Sequence, residues 1–217
     1  MDEIILVDKP ANMSSFGVVA RIRRVLSTEA GHKVKVGHSG TLDPFATGLL
    51  ILLAGKATKR SNEFLKLDKT YEATIRLGAT STTGDPEGEI IEKDVVRPDD
   101  EMVKMAVRSF IGEIEQKVPQ YSAVKIDGER AYKLARKGVA VEMPTRKVHI
   151  YNIEILNYSW PTLVIRCHVS SGTYVRTLGE DIGKKLGVGG YLTALRRTEV
   201  GNYKVEDAKK LSDFGVY

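Results

Sequence analysis

Cysteine is almost absent from this sequence, since Cys167 is the only one in 217 residues. A single cysteine cannot form an intramolecular disulfide, so packing must hold the fold, and a cytoplasmic location is expected. His168 follows Cys167, but adjacent side chains on a strand point to opposite faces and cannot share a proton. We therefore expect a core cysteine beside a surface histidine, and not a nucleophile with its base.

Long apolar runs are missing as well. The longest, LLILLA at residues 49–54, is far shorter than the roughly 18 residues that suggest a membrane span. The N-terminus, MDEIILVDKP, places acidic residues before its short apolar run, which is unlike a signal peptide. Membrane association is not expected. A hydrophobic content of 42% and a charged content of 28% are ordinary for a globular protein of this length.

Several common site types are excluded because their motifs are absent. No stretch matches a phosphate-binding loop or a dinucleotide fingerprint. The four histidines and the lone cysteine lack the spacing of metal ligands, so no metal site is expected. The net charge of +5 and the pI near 9.1 indicate a modest preference for an anionic partner.

Hydrophobic periodicity predicts strands and helices that alternate irregularly along the chain. We predict strands at residues 4–7, 49–54, 70–77, 148–156, 163–169 and 191–200, and helices at 16–27, 56–67, 100–110, 131–137, 173–186 and 206–214. Because no regular βαβ order is present, the expected class is α+β with a largely antiparallel sheet. Arg21, Arg23 and Arg24 lie off the apolar face of the first helix, where they are either solvated or in contact with phosphates.

One stretch, GHSGTLDPFATG at residues 37–48, combines a flexible polar turn with a single carboxylate, Asp43. It runs directly into the buried strand at 49–54, which is how a rigid scaffold presents a reactive side chain. An aspartate before a proline is also common in ordinary turns, where it bonds to its own backbone. Gly40, Pro44 and Gly48 would fix an exposed backbone path around Asp43.

Aromatic and basic residues elsewhere complete a candidate site around Asp43. Tyr71 stands at the head of an alternating strand, and SSGTYVRT at residues 170–177 places Tyr174 and Arg176 at a helix start. Arg176 could pair with Asp43 and hold it ionised. A carboxylate with an arginine and aromatic rings suits chemistry on a flat ring that must be stacked, such as a nucleic-acid base.

Several ordered motifs together resemble the TruB-type tRNA pseudouridine synthases. They are VDKPANMSS at 7–15, GHSGTLDPFATGLL at 37–50, KATK at 56–59, DKTYEATIRLG at 68–78, TTGDPEG at 82–88, VPQYSAVKIDGERAYKLARKG at 118–138, SSGTYVRTLGEDIG at 170–183 and ALRR at 194–197. Each motif is weak alone, but the ordered set covers almost the whole chain.

The resemblance implies roles for seven residues. Asp43 would be the catalytic residue, His38 would bind the extruded nucleotides, and Tyr71 would stack on the target uracil. Tyr174 and Arg176 would line the pocket, and Leu195 would close the pocket on its apolar side. Lys9 would support the catalytic loop. Arg176 would pair with Asp43. No cofactor is implied.

The resemblance also implies an architecture and a partner. The fold would be a mixed, mainly antiparallel central sheet flanked by helices, in a single catalytic domain over residues 1–217. A thumb-like insertion at about 113–147 would grip the T stem-loop of tRNA. The C-terminal RNA-binding (PUA) domain usual in the family is not expected, which suggests a minimal form or a truncated chain, and we expect a monomer.

The implied reaction converts uridine 55 in the T arm of tRNA to pseudouridine. Asp43 could bond to C1′ of the ribose, add to C6 of the base, or remove a sugar proton to give a glycal, and the sequence does not choose among them. Two other functions stay open. One is a non-catalytic RNA-binding module, and the other is a catalytic subunit guided by a separate RNA and partner proteins.

Overall fold

The computed structural model describes residues 2–126, 128–139 and 141–216. Met1 and Tyr217, the ends of the predicted domain, lie outside the described residues, as do residues 127 and 140 of the predicted thumb. The strands of the described residues are β1 (Glu3–Lys9), β2 (Val36–His38), β3 (Thr47–Ala54), β4 (Lys69–Leu77), β5 (Ala79–Ser81), β6 (Ile90–Glu92), β7 (Gly112–Lys117), β8 (Lys125–Ile126), β9 (Glu129–Arg130), β10 (Thr145–Ser159), β11 (Thr162–Val169), β12 (Gly190–Val200) and β13 (Tyr203–Lys204).

The α-helices of the described residues are α1 (Ser15–Ala30), α2 (Ser61–Leu65), α3 (Asp100–Arg108), α4 (Ala131–Arg136) and α5 (Val175–Lys185), with short 3-10 helices at Gly55–Arg60, Val205–Asp207 and Leu211–Phe214. Helix α1 begins where the Ser14 hydroxyl accepts a hydrogen bond from the Gly17 N–H. It ends at Gly31, whose φ of 68° closes the last turn. Within the described part of the chain, no helix is both long and apolar enough to cross a membrane.

The chain divides into two compact units. Unit 1 comprises Met1–Glu72 and Ala194–Tyr217. Its central strand is β3, which pairs antiparallel with β1 and β2 and parallel with β12 at Arg196 and Arg197. Every residue of β3 after Thr47 is buried, because both faces of the strand are covered. Side chains of α1 pack against one face, and an apolar cluster that includes Phe64 packs against the other.

Unit 2 comprises Ala73–Thr193. Strand β10 pairs antiparallel with both β11 and β7, and the short pairs β5/β6 and β8/β9 are antiparallel as well. The segment after β7 has a small core of its own, formed by Val118, Ala131 and Met143, and Tyr174 packs against it. This segment lies within the predicted thumb at 113–147, and the boundaries of that thumb and of the single domain stay predictions.

The predicted class, α+β with a mainly antiparallel sheet, is confirmed. Cys167 is fully buried and His168 is exposed, as the strand argument predicts. The predicted terminal helix at 206–214 is wrong. The backbone there is drawn to β1, because the Lys209 N–H donates to the Leu6 carbonyl (3.0 Å) and the Asp8 N–H donates to the Lys209 carbonyl (2.9 Å), which leaves only single 3-10 turns on either side.

Candidate active site

The loop that carries Asp43 is bonded to the start of α1. The Ser15 hydroxyl donates to the Leu42 carbonyl and accepts from the Leu42 N–H, both at 2.8 Å. Ser15 is buried, so both polar groups of the residue before Asp43 are satisfied away from water. The loop is therefore fixed one residue upstream of its carboxylate.

Lys9, at the end of β1, holds the downstream side of the same loop. Its ammonium donates to the carbonyls of Pro10 (2.7 Å), Met13 (2.6 Å) and Pro44 (3.2 Å), and the whole residue is inaccessible to solvent. A buried lysine is tolerated only where its donors are used, and here three carbonyls use them. The role that the resemblance implies for Lys9, support of the loop, is consistent with these contacts.

Arg197 on β12 contacts both ends of the loop. Its Nε donates to the Leu49 carbonyl (2.8 Å) and its Nη2 donates to the Gly40 carbonyl (3.1 Å), and Arg197 is 1% exposed. The backbones also meet, since Arg197 pairs with Gly48. Gly48 has a φ of 99°, and a Cβ there would lie 2.8 Å from the Arg197 nitrogen, so only glycine fits.

Asp43 sits at the boundary between this anchored backbone and solvent. Its carbonyl accepts from the Ala46 N–H (3.2 Å), which closes a tight turn. Leu42 and Ala46 on either side are buried, Asp43 is half-buried and Pro44 is exposed. The fold thus presents one carboxylate on a rigid loop that still reaches solvent.

Three other predicted residues of unit 1 are buried or nearly so. Tyr71 on β4 is 9% exposed and Leu195 on β12 is 7% exposed. Burial lowers the pKa of His38, and the positive charge of Arg197 lowers it further, which favours a neutral imidazole. The Nδ1 atom of His38 is buried, with no hydrogen-bond partner among the described residues.

Lys69 is a third buried cation of unit 1. Its ammonium donates to the carbonyls of Leu65 (2.7 Å) and Leu67. Burial, with a smaller contribution from the charge of Arg197, lowers the pKa of Lys69 to about 8. Across residues 2–126, 128–139 and 141–216, no three His, Cys, Asp or Glu side chains are grouped so that they could hold a metal ion.

Tyr174 and Arg176 lie in unit 2, at the start of α5. The side chain of Gln116, fully buried on β7, accepts from the Tyr174 N–H (2.7 Å) and donates to the Tyr174 carbonyl (3.0 Å). The guanidinium of Arg146 lies 6.0 Å from the centre of the Tyr174 ring. Both backbone groups of Tyr174 are thereby fixed before the helix begins.

Arg176 is 4% exposed and forms an ion pair with Asp85, which is 3% exposed, at 3.2 Å. The guanidinium also donates to the carbonyls of Thr83 (3.0 Å) and Tyr121 (2.7 Å). Asp85 accepts in turn from the Thr83 hydroxyl at 2.5 Å. The predicted pairing of Arg176 with Asp43 stays a prediction, because the two residues belong to different units.

Glu180, one turn after Arg176 on α5, is the most perturbed acid near this pair. Burial raises its pKa to about 7, against the opposing effect of the Arg176 charge, and the charges of Asp181 and Asp85 raise it further. Its carboxyl group packs closely on Gly84, the residue before Asp85. Glu180 is therefore partly protonated near neutral pH.

Sequence reasoning missed three residues of these sites. Arg197 and Gln116 bond to backbone groups far away in the chain, and such contacts leave no spacing pattern in the sequence. Asp85 stands in the quoted TTGDPEG motif, but nothing in that motif names its cationic partner. A charged residue in a predicted strand is the one signal that could have marked Arg197, whereas Gln116 lies on β7, where no strand is predicted.

Comparison with known proteins identifies the family. The description "TruB family pseudouridylate synthase (N terminal domain)" matches residues 23–175. The chain belongs to the TruB family. A second description, "tRNA pseudouridylate synthase B C-terminal domain", matches residues 176–216. The resemblance predicted from the motifs is thereby confirmed, and so is the predicted enzyme class at the level of the family.

Relatives of known name agree with this assignment. The chain is 46% identical over 215 residues to tRNA pseudouridine synthase B of Corynebacterium efficiens and 48% identical over 210 residues to that of Cupriavidus metallidurans. It covers 71% and 65% of those two proteins. Among solved structures, it is similar to a chain of a Cbf5-Nop10-Gar1 complex, with 31% identity, a TM-score of 0.75, and coverage of 97% of this chain and 52% of that one.

Proposed function

We propose that this TruB-family chain converts uridine 55 in the T arm of tRNA to pseudouridine, with Asp43 as the catalytic residue. The observation that carries the proposal is the anchored loop that presents Asp43, in a chain 46% identical to a tRNA pseudouridine synthase B. A fixed carboxylate is the group that this chemistry needs most, because positive charge develops on the sugar.

The reaction exchanges one bond for another within the nucleotide. The bond between C1′ and N1 breaks, and its electron pair leaves with the uracil. The uracil turns, and its C5 forms a new bond to C1′. The proton on C5 is lost, and N1 takes up a proton, so no atom is gained or lost overall. Asp43 acts by one of three routes: it bonds to C1′ of the ribose, it adds to C6 of the base, or it removes a sugar proton to give a glycal.

The other predicted residues hold the detached base. Tyr71 stacks on the uracil, Leu195 closes the apolar side, and Tyr174 and Arg176 line the pocket. Extruding the nucleotide from its stack costs on the order of a few kcal/mol, and stacking on an aromatic side chain offsets this cost. His38, kept neutral by burial and by Arg197, would bind the extruded nucleotides by hydrogen bonds without a charge of its own.

The RNA partner is supported by the charge distribution. The exposed face of α1 carries Arg21 and Arg24, and no acidic residue lies in its first turn. Phosphate contacts dominate the affinity of such surfaces. We propose the T stem-loop as the partner, a thumb at about 113–147 that grips it, a monomeric enzyme that needs no cofactor or metal, and a cytoplasmic location where tRNA is processed.

The direct test is to incubate the chain with an unmodified tRNA transcript and to map pseudouridine. We expect one product, at position 55. Asp43→Asn should bind the transcript with nearly unchanged affinity but form no product, while Asp207→Asn, an exposed aspartate of the same unit, should keep full activity. Turnover near wild type in Asp43→Asn would overturn the role of Asp43.

Assays on tRNA also distinguish the proposed function from the two alternative functions. A non-catalytic RNA-binding module would release no tritium from tRNA labelled at C5 of uridine, whereas a synthase must release it. A subunit that acts only within a larger complex, as the similarity to a chain of the Cbf5-Nop10-Gar1 complex allows, would be inactive on bare transcript. The higher identity to proteins named tRNA pseudouridine synthase B favours independent action on tRNA.

A further inference from the structure

Arg197 is a buried cation whose side-chain hydrogen bonds reach backbone on both sides of Asp43. It is 1% exposed, and its side-chain donors reach the carbonyls of Gly40 and Leu49. Gly40 follows the end of β2 and Leu49 is the third residue of β3, so the two carbonyls lie on either side of Asp43. One guanidinium therefore ties the two ends of the loop to a single planar group.

The strand that carries Arg197 adds a second constraint. Arg197 pairs with Gly48 in the parallel contact between β12 and β3, so its backbone lies against the same loop end that its side chain bonds. The guanidinium is rigid and planar, and its two donors have a fixed relative position. It therefore sets the separation of the Gly40 and Leu49 carbonyls as well as holding each of them.

We propose that Arg197 is a positioning residue for the reaction, which fixes the loop ends so that the Asp43 carboxylate is held at one place. The inference rests on the proposed function, since it assumes that Asp43 is the reacting group. Ser15 and Lys9 bond to the residues next to Asp43, and Arg197 bonds to the Gly40 and Leu49 carbonyls further out on either side. A displacement of about 1 Å at a catalytic group can cost about a hundredfold in rate.

Arg196 provides a matched control on the same strand. It is a neighbouring arginine that forms a two-bond ion pair with Asp8, at 3.0 and 2.9 Å, and it is partly exposed. Its donors are used by a carboxylate of β1 in these bonds, and not by the loop carbonyls. The variants Arg197→Lys, Arg197→Met and Arg196→Met therefore separate the loop contacts from a general need for an arginine on β12.

The experiment measures single-turnover pseudouridine formation at saturating tRNA, tRNA affinity, and amide hydrogen exchange in the full chain. We expect Arg197→Met to slow the chemical step about a hundredfold and Arg197→Lys at least tenfold, with the dissociation constant for tRNA changed less than threefold. Arg196→Met should keep a rate within threefold of wild type. Exchange should rise in the peptide over residues 39–47, but not in β10 and β11.

Several outcomes would overturn the inference. A wild-type rate in folded Arg197→Met would do so, and so would unchanged exchange in residues 39–47. A loss of protection in every strand, with a rate that falls only with the folded fraction, would mean that Arg197 merely holds the core. If Arg197→Met does not fold, Arg197→Lys decides by the same measurements. Inactivity of the wild-type chain would instead refute the proposed function, while the exchange measurement still tests the loop contacts.

Discussion

Unit 1 and unit 2 each bury cations beside residues proposed for the active site, but the described contacts satisfy them differently. In unit 1, Lys9 and Arg197 donate to backbone carbonyls of the Asp43 loop. In unit 2, Arg176 bonds to the Asp85 carboxylate as well as to two carbonyls. Carbonyl partners fix the shape of a backbone, whereas an ion pair also neutralises charge. Removing one partner should therefore be more costly in unit 2.

The largest effect is expected from Asp85→Asn. This change keeps the shape of the side chain but removes the carboxylate that pairs with the buried Arg176 guanidinium at 3.2 Å. We expect the free energy of unfolding to fall by about 3–5 kcal/mol in urea denaturation. Glu154→Gln, which breaks the exposed pair with Arg166, should cost at most about 1 kcal/mol. Equal losses in the two variants would contradict the comparison.

Lys9→Met tests the carbonyl arrangement of unit 1. Methionine has a similar length and no donors, so the carbonyls of Pro10, Met13 and Pro44 lose a charged partner. We expect a loss of about 2–3 kcal/mol in the free energy of unfolding, smaller than for Asp85→Asn. Lys35→Met, at an exposed position, should change it by less than about 0.5 kcal/mol. A loss above that of Asp85→Asn would reverse the proposed order.

Glu180 should make the stability of unit 2 depend on pH. Its pKa is raised to about 7 in the fold, so between its ordinary value of 4.5 and 7 the folded state binds more protons than the unfolded state. The free energy of unfolding should therefore fall as pH rises, by about 1–3 kcal/mol between pH 5 and 8. Glu180→Gln should flatten this dependence, and Glu154→Gln should leave it. An equally steep profile in Glu180→Gln would refute the assignment.

The smallest change in stability is expected for the exposed cations of unit 1. Replacing Arg21 and Arg24 together by glutamine should alter the free energy of unfolding by less than about 0.5 kcal/mol. If these residues contact phosphates, the slope of log affinity for tRNA against log salt should become shallower by about 2. The pair Lys104 and Arg108 on α3, replaced likewise, should leave the slope unchanged. A slope identical to wild type in the α1 variant would mean a merely solvated face.

The sequence predicted the elements whose signals are local. Ser14 caps α1, and the alternation of Tyr71 and its neighbours gives a strand with one buried side. Asp99 caps α3 by accepting the Met102 N–H, and the helix begins at Asp100 as predicted, but it ends at Arg108, before the predicted end at residue 110. Boundaries of this kind depend on one backbone angle, which the pattern does not encode.

Contacts between distant segments could not be predicted. The terminal 3-10 turns replace the expected helix because Lys209 bonds to β1, some 200 residues earlier in the chain. Arg197 and Gln116 bond to backbone groups, which every residue possesses, so no partner residue type marks them. Family resemblance supplied the candidate roles of Asp43 and Arg176, and the structure supplied the partner Asp85.

The tight contact at Gly48 has a consequence for redesign of the loop. Any side chain at position 48 would meet backbone atoms of Arg197, which cannot move aside as a side chain could. The distance between the two tethered carbonyls is set as well, so the number of residues between Gly40 and Leu49 is constrained. A library that varies Thr41 or Phe45 changes side chains while it keeps the length of the loop. Insertions and deletions in that interval, by contrast, should be lost from any selection for activity.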